Sequence, residues 1–117
     1  MRVLLATDQP DLGEALAFFL TEQRIDVIGV VSDAHLILSR TTASRPDVVL
    51  VDWHLGPLLS TQAVRDLRDA DDPTPVIILS TSVERPSAQT SGATGYATLG
   101  DPPDSLLTAL AAVASAH

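Results

Sequence analysis

Four short apolar stretches constrain this chain more than any other feature: RVLLAT (Arg2 to Thr7), DVIGVVS (Asp26 to Ser32), the run Val48 to Val51, and TPVIILSTS (Thr74 to Ser82). They have strand length. The third is four consecutive apolar residues, three of them β-branched, which is how a strand buried on both faces of a parallel sheet reads. That run ends abruptly in Asp52. A carboxylate at the carboxyl end of a buried strand is costly unless it is solvated, paired or bound to a metal, so Asp52 is either a loop start or a site.

Helical patterns separate the strands. DLGEALAFFLTEQ places Leu12, Ala15, Leu16, Phe19 and Leu20 on one face, with Pro10 in its first turn. DAHLILSRTTA carries Ala34, Leu36, Ile37 and Leu38 behind a cap at Ser32 or Asp33, and LLSTQAVRDLRDA spaces Leu59, Ala63, Val64 and Leu67. VERPSAQTSGA is polar; it predicts at most a short helix from Pro86, and Ser82 to Gly92 is expected to be the least ordered stretch. GYATL (Gly95 to Leu99) is the fifth strand, and DPPDSLLTALAAVASA is a final helix capped at Asp101. The polar RDADD stretch, Arg68 to Asp72, reads as a solvated helix end and turn.

Length and composition set the limits. At 117 residues, residues 1–117 are expected to form a single domain. Apolar residues make up 45% of the chain, which excludes disorder, yet no stretch approaches the roughly 18 apolar residues that span a bilayer. No membrane contact is expected. The N-terminal run is too short and too soon acidic for a secretory signal, and the absence of cysteine gives no case for an oxidising compartment, so the cytoplasm is the expected location. The net charge of −8 argues against direct nucleic-acid contact through this domain.

Strands alternating with helices imply right-handed crossovers and a parallel sheet covered on both sides, the doubly wound α/β class. Such sheets bind outside the carboxyl ends of their strands, where the winding reverses. The residues there are Thr7 and Asp8, Asp52, Ser80 and Thr81, and Leu99 and Gly100. Two carboxylates and a hydroxyl are thereby expected to meet.

In VLLATDQP, RPDVVLVDWHLG, TPVIILST and SGATGY, the sequence resembles the receiver domains of bacterial two-component response regulators, and the wording is closest to receivers that precede a helix-turn-helix output domain. The resemblance implies a flavodoxin-like sheet of order 2-1-3-4-5, with two helices on one face and three on the other. It also implies that Asp52 is the phosphoacceptor, that Asp8, Asp52 and the main-chain carbonyl of His54 hold magnesium, and that Ser80 and Tyr96 form the switch. A sensor histidine kinase and a homodimer are the implied partners.

Three departures fall at the site. Thr7 stands where the family carries the first of two adjacent acids, and Leu99 and Gly100 stand where it carries a lysine and a proline. Gly56 and Pro57 reverse the usual proline–glycine order. The missing cation alone removes a term of roughly 4 kcal/mol for charges at about 4 Å and an effective dielectric of about 20. Arg85 reads as a solvated residue rather than its replacement. Weak magnesium binding follows, and two readings stand: a degenerate receiver working by phosphorylation-independent protein or ligand contact, or a receiver that accepts phosphate at Asp52. Neither is an enzyme. A haloacid-type phosphatase would need an aspartate where His54 stands, and TDQPDLG is not a nucleotide loop. The side chains of His35, His54 and His117 read as exposed, and Trp53 as packing.

Overall fold

The computed structural model describes residues 1–55, 57–80, 93–98 and 104–115. The chain runs β1 (Arg2–Ala6), α1 (Pro10–Glu22), β2 (Asp26–Val31), a 3-10 turn (Ala34–Leu36) leading into α2 (Ile37–Ser44), and β3 (Val48–Asp52). A second 3-10 turn (Trp53–Leu55), α3 (Pro57–Asp69), β4 (Val76–Ser80), β5 (Gly95–Thr98) and α4 (Asp104–Ser115) follow. The helix expected from Pro86, the cap at Asp101, the stretch Ser82 to Gly92, and Gly56, Thr81, Arg85, Leu99, Gly100 and His117 lie outside the described residues.

The strands form one parallel sheet of order β2-β1-β3-β4-β5. Every residue of β3 and β4 is buried, as continuous apolar runs at the centre of a parallel sheet require. Alternation along them feeds two cores. Val49, Val51 and Ile78 pack with Ile37, Val64 and Leu67 under α2 and α3, while Leu50, Ile77 and Leu79 pack with Leu16, Leu20, Leu106 and Leu110 under α1 and α4. Two described helices therefore cover each face, and the segment from which a fifth helix is expected lies outside the described residues.

The helices face the sheet slightly differently from the sequence expectation. Hydrophobicity places Ala15, Leu36 and Leu59 inward, yet all three are exposed. Among the described side chains of α3 the buried ones are Ser60, Ala63, Val64 and Leu67. At 3.6 residues per turn Ser60 lies at the centre of that face and Leu59 about 90° away from it, so periodicity overrides side-chain type. On α1, Gly13 is buried and Ala15 exposed, and a Cβ added at Gly13 would stand in ordinary contact, 3.4 Å, with the Thr7 methyl. The α2 entry is as expected: Asp33 accepts a hydrogen bond from the His35 amide at 2.9 Å. The Arg68 to Asp72 stretch is not simply solvated, since the Arg68 guanidinium donates to the carbonyls of Asp72 (2.8 Å) and Thr74 (2.9 Å) and fastens the turn into β4.

Pairing of β1 with β2 slips once. Val3 faces Val27 but Leu4 faces Gly29, which leaves Ile28 as an extra residue on the edge strand. Elsewhere the register is regular and brings the carboxyl ends of β1, β3 and β4 level with one another.

Leu50 is fully buried at the centre of this arrangement. Leu50→Ala is expected to lower stability by about 2–5 kcal/mol. Urea unfolding should show a lower midpoint at unchanged slope.

Candidate functional site

Register decides what meets at the top of the sheet. Ala6 pairs with Val51 and Asp52 with Leu79, so Thr7, Asp52 and Ser80 terminate three adjacent strands. The Thr7 amide donates to the Val31 carbonyl at 2.9 Å, which carries the sheet's hydrogen bonding one residue past β1. Asp52 and Thr7 are each only 2% exposed.

A carboxylate so buried must be satisfied locally. The Thr7 hydroxyl donates to Asp52 Oδ2 at 2.7 Å, and the Gln9 side-chain amide donates to the same oxygen at 2.9 Å. The His54 main-chain N–H donates to Oδ1 at 2.9 Å, so Asp52 also initiates the 3-10 turn that follows it. Thr7 Oγ1 in turn accepts from the Gln9 main-chain N–H at 3.1 Å. The Ser60 hydroxyl, fully buried on α3, donates to the Asp52 main-chain carbonyl at 3.4 Å. The described surroundings of the Asp52 carboxylate are therefore neutral donors, and the whole chain contains no lysine.

The other expected residues are placed as follows. Asp8 is exposed, directly after the Thr7 that replaces the first acid. Ser80 is buried at the end of β4 and is in register with Thr98. Tyr96 lies on β5 opposite Ile78 and is 42% exposed. His54 has an exposed side chain, and the bond it makes to Asp52 comes from its N–H. Trp53 is buried against the α2–α3 core. Leu99 cannot be placed, being outside the described residues.

Two participants escape a reading of the sequence. Gln9 holds the N-cap position of α1, with φ −100° and ψ 103°, but makes no side-chain cap. Glutamine is not among the preferred N-cap residues, so its presence just before Pro10 is a signal that the side chain serves elsewhere. Ser60 is legible from its spacing to Ala63, Val64 and Leu67, and is obscured by the more hydrophobic Leu59.

Magnesium takes hard oxygen ligands at short, nearly octahedral distances. A carboxylate offers about four lone-pair sites. Three on Asp52 already accept hydrogen bonds, both of those on Oδ2 among them. Among the described residues no group of three acidic, histidine or cysteine side chains is disposed to hold a metal. As arranged, Asp52 would offer a resident magnesium ion a single free lone pair, on Oδ1, which makes these residues a poor fit for it.

A doubly wound parallel sheet with a buried aspartate at the end of its third strand, beside an exposed acid and a buried serine, defines the class of flavodoxin-like α/β domains with an acidic site at the carboxyl ends of the strands. The particular family follows from comparison: residues 3–99 match the response regulator receiver domain, and the chain belongs to that family. It is 30% identical over 118 residues to the transcriptional regulatory protein YxjL of Bacillus subtilis, covering 97% of this chain and 54% of that protein. The chain thus spans about half the length of that relative. A LuxR-family two-component response regulator from Aurantimonas sp. superposes with a TM-score of 0.86 at 26% identity, over 99% of this chain and 86% of that one. The receiver domain of the Francisella response regulator 1452 gives a TM-score of 0.81 at 25% identity, covering 99% and 98%. No described helix is long and apolar enough to cross a membrane.

Removing one donor from Asp52 should be costly. Thr7→Val keeps the shape but leaves a buried charge short of a hydrogen bond, an expected loss of about 1.5–3 kcal/mol. Combined with Asp52→Asn in a denaturation cycle, the two changes should be non-additive by at least about 0.5 kcal/mol.

Proposed function

We propose that this chain is a degenerate receiver: a signalling module that regulates through protein or ligand contact, with Asp52 acting as a structural anchor rather than as a phosphoacceptor. The observation that carries this reading is the pair of neutral donors, Thr7 and Gln9, on Asp52 Oδ2. Transfer to an aspartate requires a carboxylate oxygen to attack phosphorus while the bond to the leaving group breaks. The product places a phosphoryl dianion on the carboxyl group, and positioned positive charge is most of what a protein contributes to that step.

Here the chain works in the opposite direction. Hydrogen bonds to the attacking oxygen stabilise the ground state and must be weakened before its lone pair can be used. The acid that would have sat at position 7 is a hydroxyl, and no lysine exists anywhere in the sequence to meet the product charge. Asp8, Asp52 and the His54 carbonyl would hold the magnesium implied by the family, and the donors already on Asp52 would weaken that hold. The neutral donors fit a carboxylate that stays as it is.

The second reading, a receiver that takes phosphate at Asp52 from a sensor histidine kinase with magnesium, draws on one observation: Asp8, Asp52 and Ser80 stand at the ends of three adjacent strands. Under either reading the domain is a regulator without enzymatic activity of its own, placed in the cytoplasm. Self-association into a homodimer is the simplest output contact. The net charge of −8 assigns no nucleic-acid contact to these residues.

Incubation with a small phosphodonor and magnesium, followed by intact-mass spectrometry, tests the choice. The parent chain should remain unlabelled, with Asp52→Asn as the blank. Thr7→Asp with Leu99→Lys should gain labelling at Asp52, by restoring one acid and one cation. Rapid labelling of the parent that Asp52→Asn abolishes would overturn the degenerate reading.

A further inference from the structure

We infer that Gln9 is the positioning residue that closes Asp52 to metal and phosphoryl groups: with Thr7 it fills both lone pairs of Oδ2, and release of its amide opens the carboxylate. The inference rests on the degenerate-receiver reading and deepens it by assigning the closure to a residue outside the family's site.

Three observations lead to Gln9 rather than to Thr7 alone. Thr7 is 2% exposed and fixed at both ends, accepting from the Gln9 N–H and donating to Asp52, so it has nowhere to go. Gln9 is only half-buried, and its side chain forgoes the helix cap to reach Asp52. It also lines a shallow cleft of about 360 Å³ together with Pro10, Gly13, Ala17 and Val30, which gives the amide space to swing into without moving the core.

The chemistry of the exchange follows. An amide N–H is a neutral donor that meets part of the electrostatic need of a buried carboxylate. A divalent cation meets it more fully, but must take the same lone pair and shed water in doing so. With the amide in place the cation has one free lone pair on Oδ1 and the exposed Asp8. Without the amide it gains Oδ2. Removing the Gln9 side chain should therefore raise cation affinity even though it adds no ligand, which is the signature of a closing residue. Gln9→Glu should raise affinity further, since the new side chain keeps the reach, cannot donate when ionised and brings a third carboxylate. Gln9→Asn, one methylene shorter, should resemble Gln9→Ala.

The test is magnesium titration of the intact chain, alone and with beryllofluoride, followed by the fluorescence of Trp53, the only tryptophan, which adjoins Asp52. Thermal melting of the same samples gives a second readout and confirms folding. The parent is expected to bind at millimolar magnesium or weaker, Gln9→Ala and Gln9→Asn about 5- to 10-fold more tightly, and Gln9→Glu more tightly again, each gain lost with Asp52→Asn. If the parent binds weakly and all three variants bind no better, the closing role is overturned while the degenerate reading stands; a shift in melting temperature alone would mark Gln9 as merely structural. If the parent itself binds magnesium and beryllofluoride at micromolar concentration through Asp52, the degenerate reading and the closing role both fall.

Discussion

A negative charge held inside the rim of a parallel sheet organises the top of this molecule. Asp52 is the last residue of a strand that is buried throughout, so its carboxylate has little water to solvate it. The donors that compensate come from two places: Thr7 and Gln9 in the short link between β1 and α1, and the turn that Asp52 itself begins. The carboxylate thereby ties the β1–α1 link to the end of β3. In a receiver with a full set of acids and a lysine, much of that compensation is the task of cations. Here hydroxyl and amide dipoles of Thr7, Gln9 and His54 supply it.

The sheet is what makes such a tie feasible. Because β1, β3 and β4 are parallel and in register, their ends arrive at one level, and a hydroxyl on β1's extension falls within 2.7 Å of a carboxylate on β3. Apolar cores pack against both faces of the sheet beneath those ends, and Gly13 of α1 lies next to the Thr7 methyl. Asp52 therefore depends on packing several residues away from it, and the strands gain from Asp52 a cross-link at their otherwise frayed end.

Much of this is legible in the sequence because buried parallel strands announce themselves as continuous apolar runs. Val48 to Val51 and Val76 to Leu79 need no tertiary information to be placed, and Asp52 stands out as the polar end of such a run. The helix faces are harder to read. The apolar spacing drawn through Leu59 and Ala15 passes over Ser60 and Gly13, because small or polar residues that fill a buried position carry no hydrophobic signal. What Gln9 reaches is hidden from the sequence for another reason. Its role depends on a contact across 43 positions of sequence, which only the register of β1 against β3 creates.

The slip between β1 and β2 has a consequence for life in solution. An edge strand with regular, free hydrogen-bonding groups is a template on which another chain can extend the sheet. β2 is such an edge, and Val30 on it is exposed, so a straight β2 would be an adhesive strip. The extra Ile28 breaks the ladder in its middle, and the glycine that follows weakens it again. The regular pairing on either side of the bulge is only two and three residues long, so the edge offers no long regular template. An irregularity in pairing thus works as a guard against fibrous growth along this edge of the sheet.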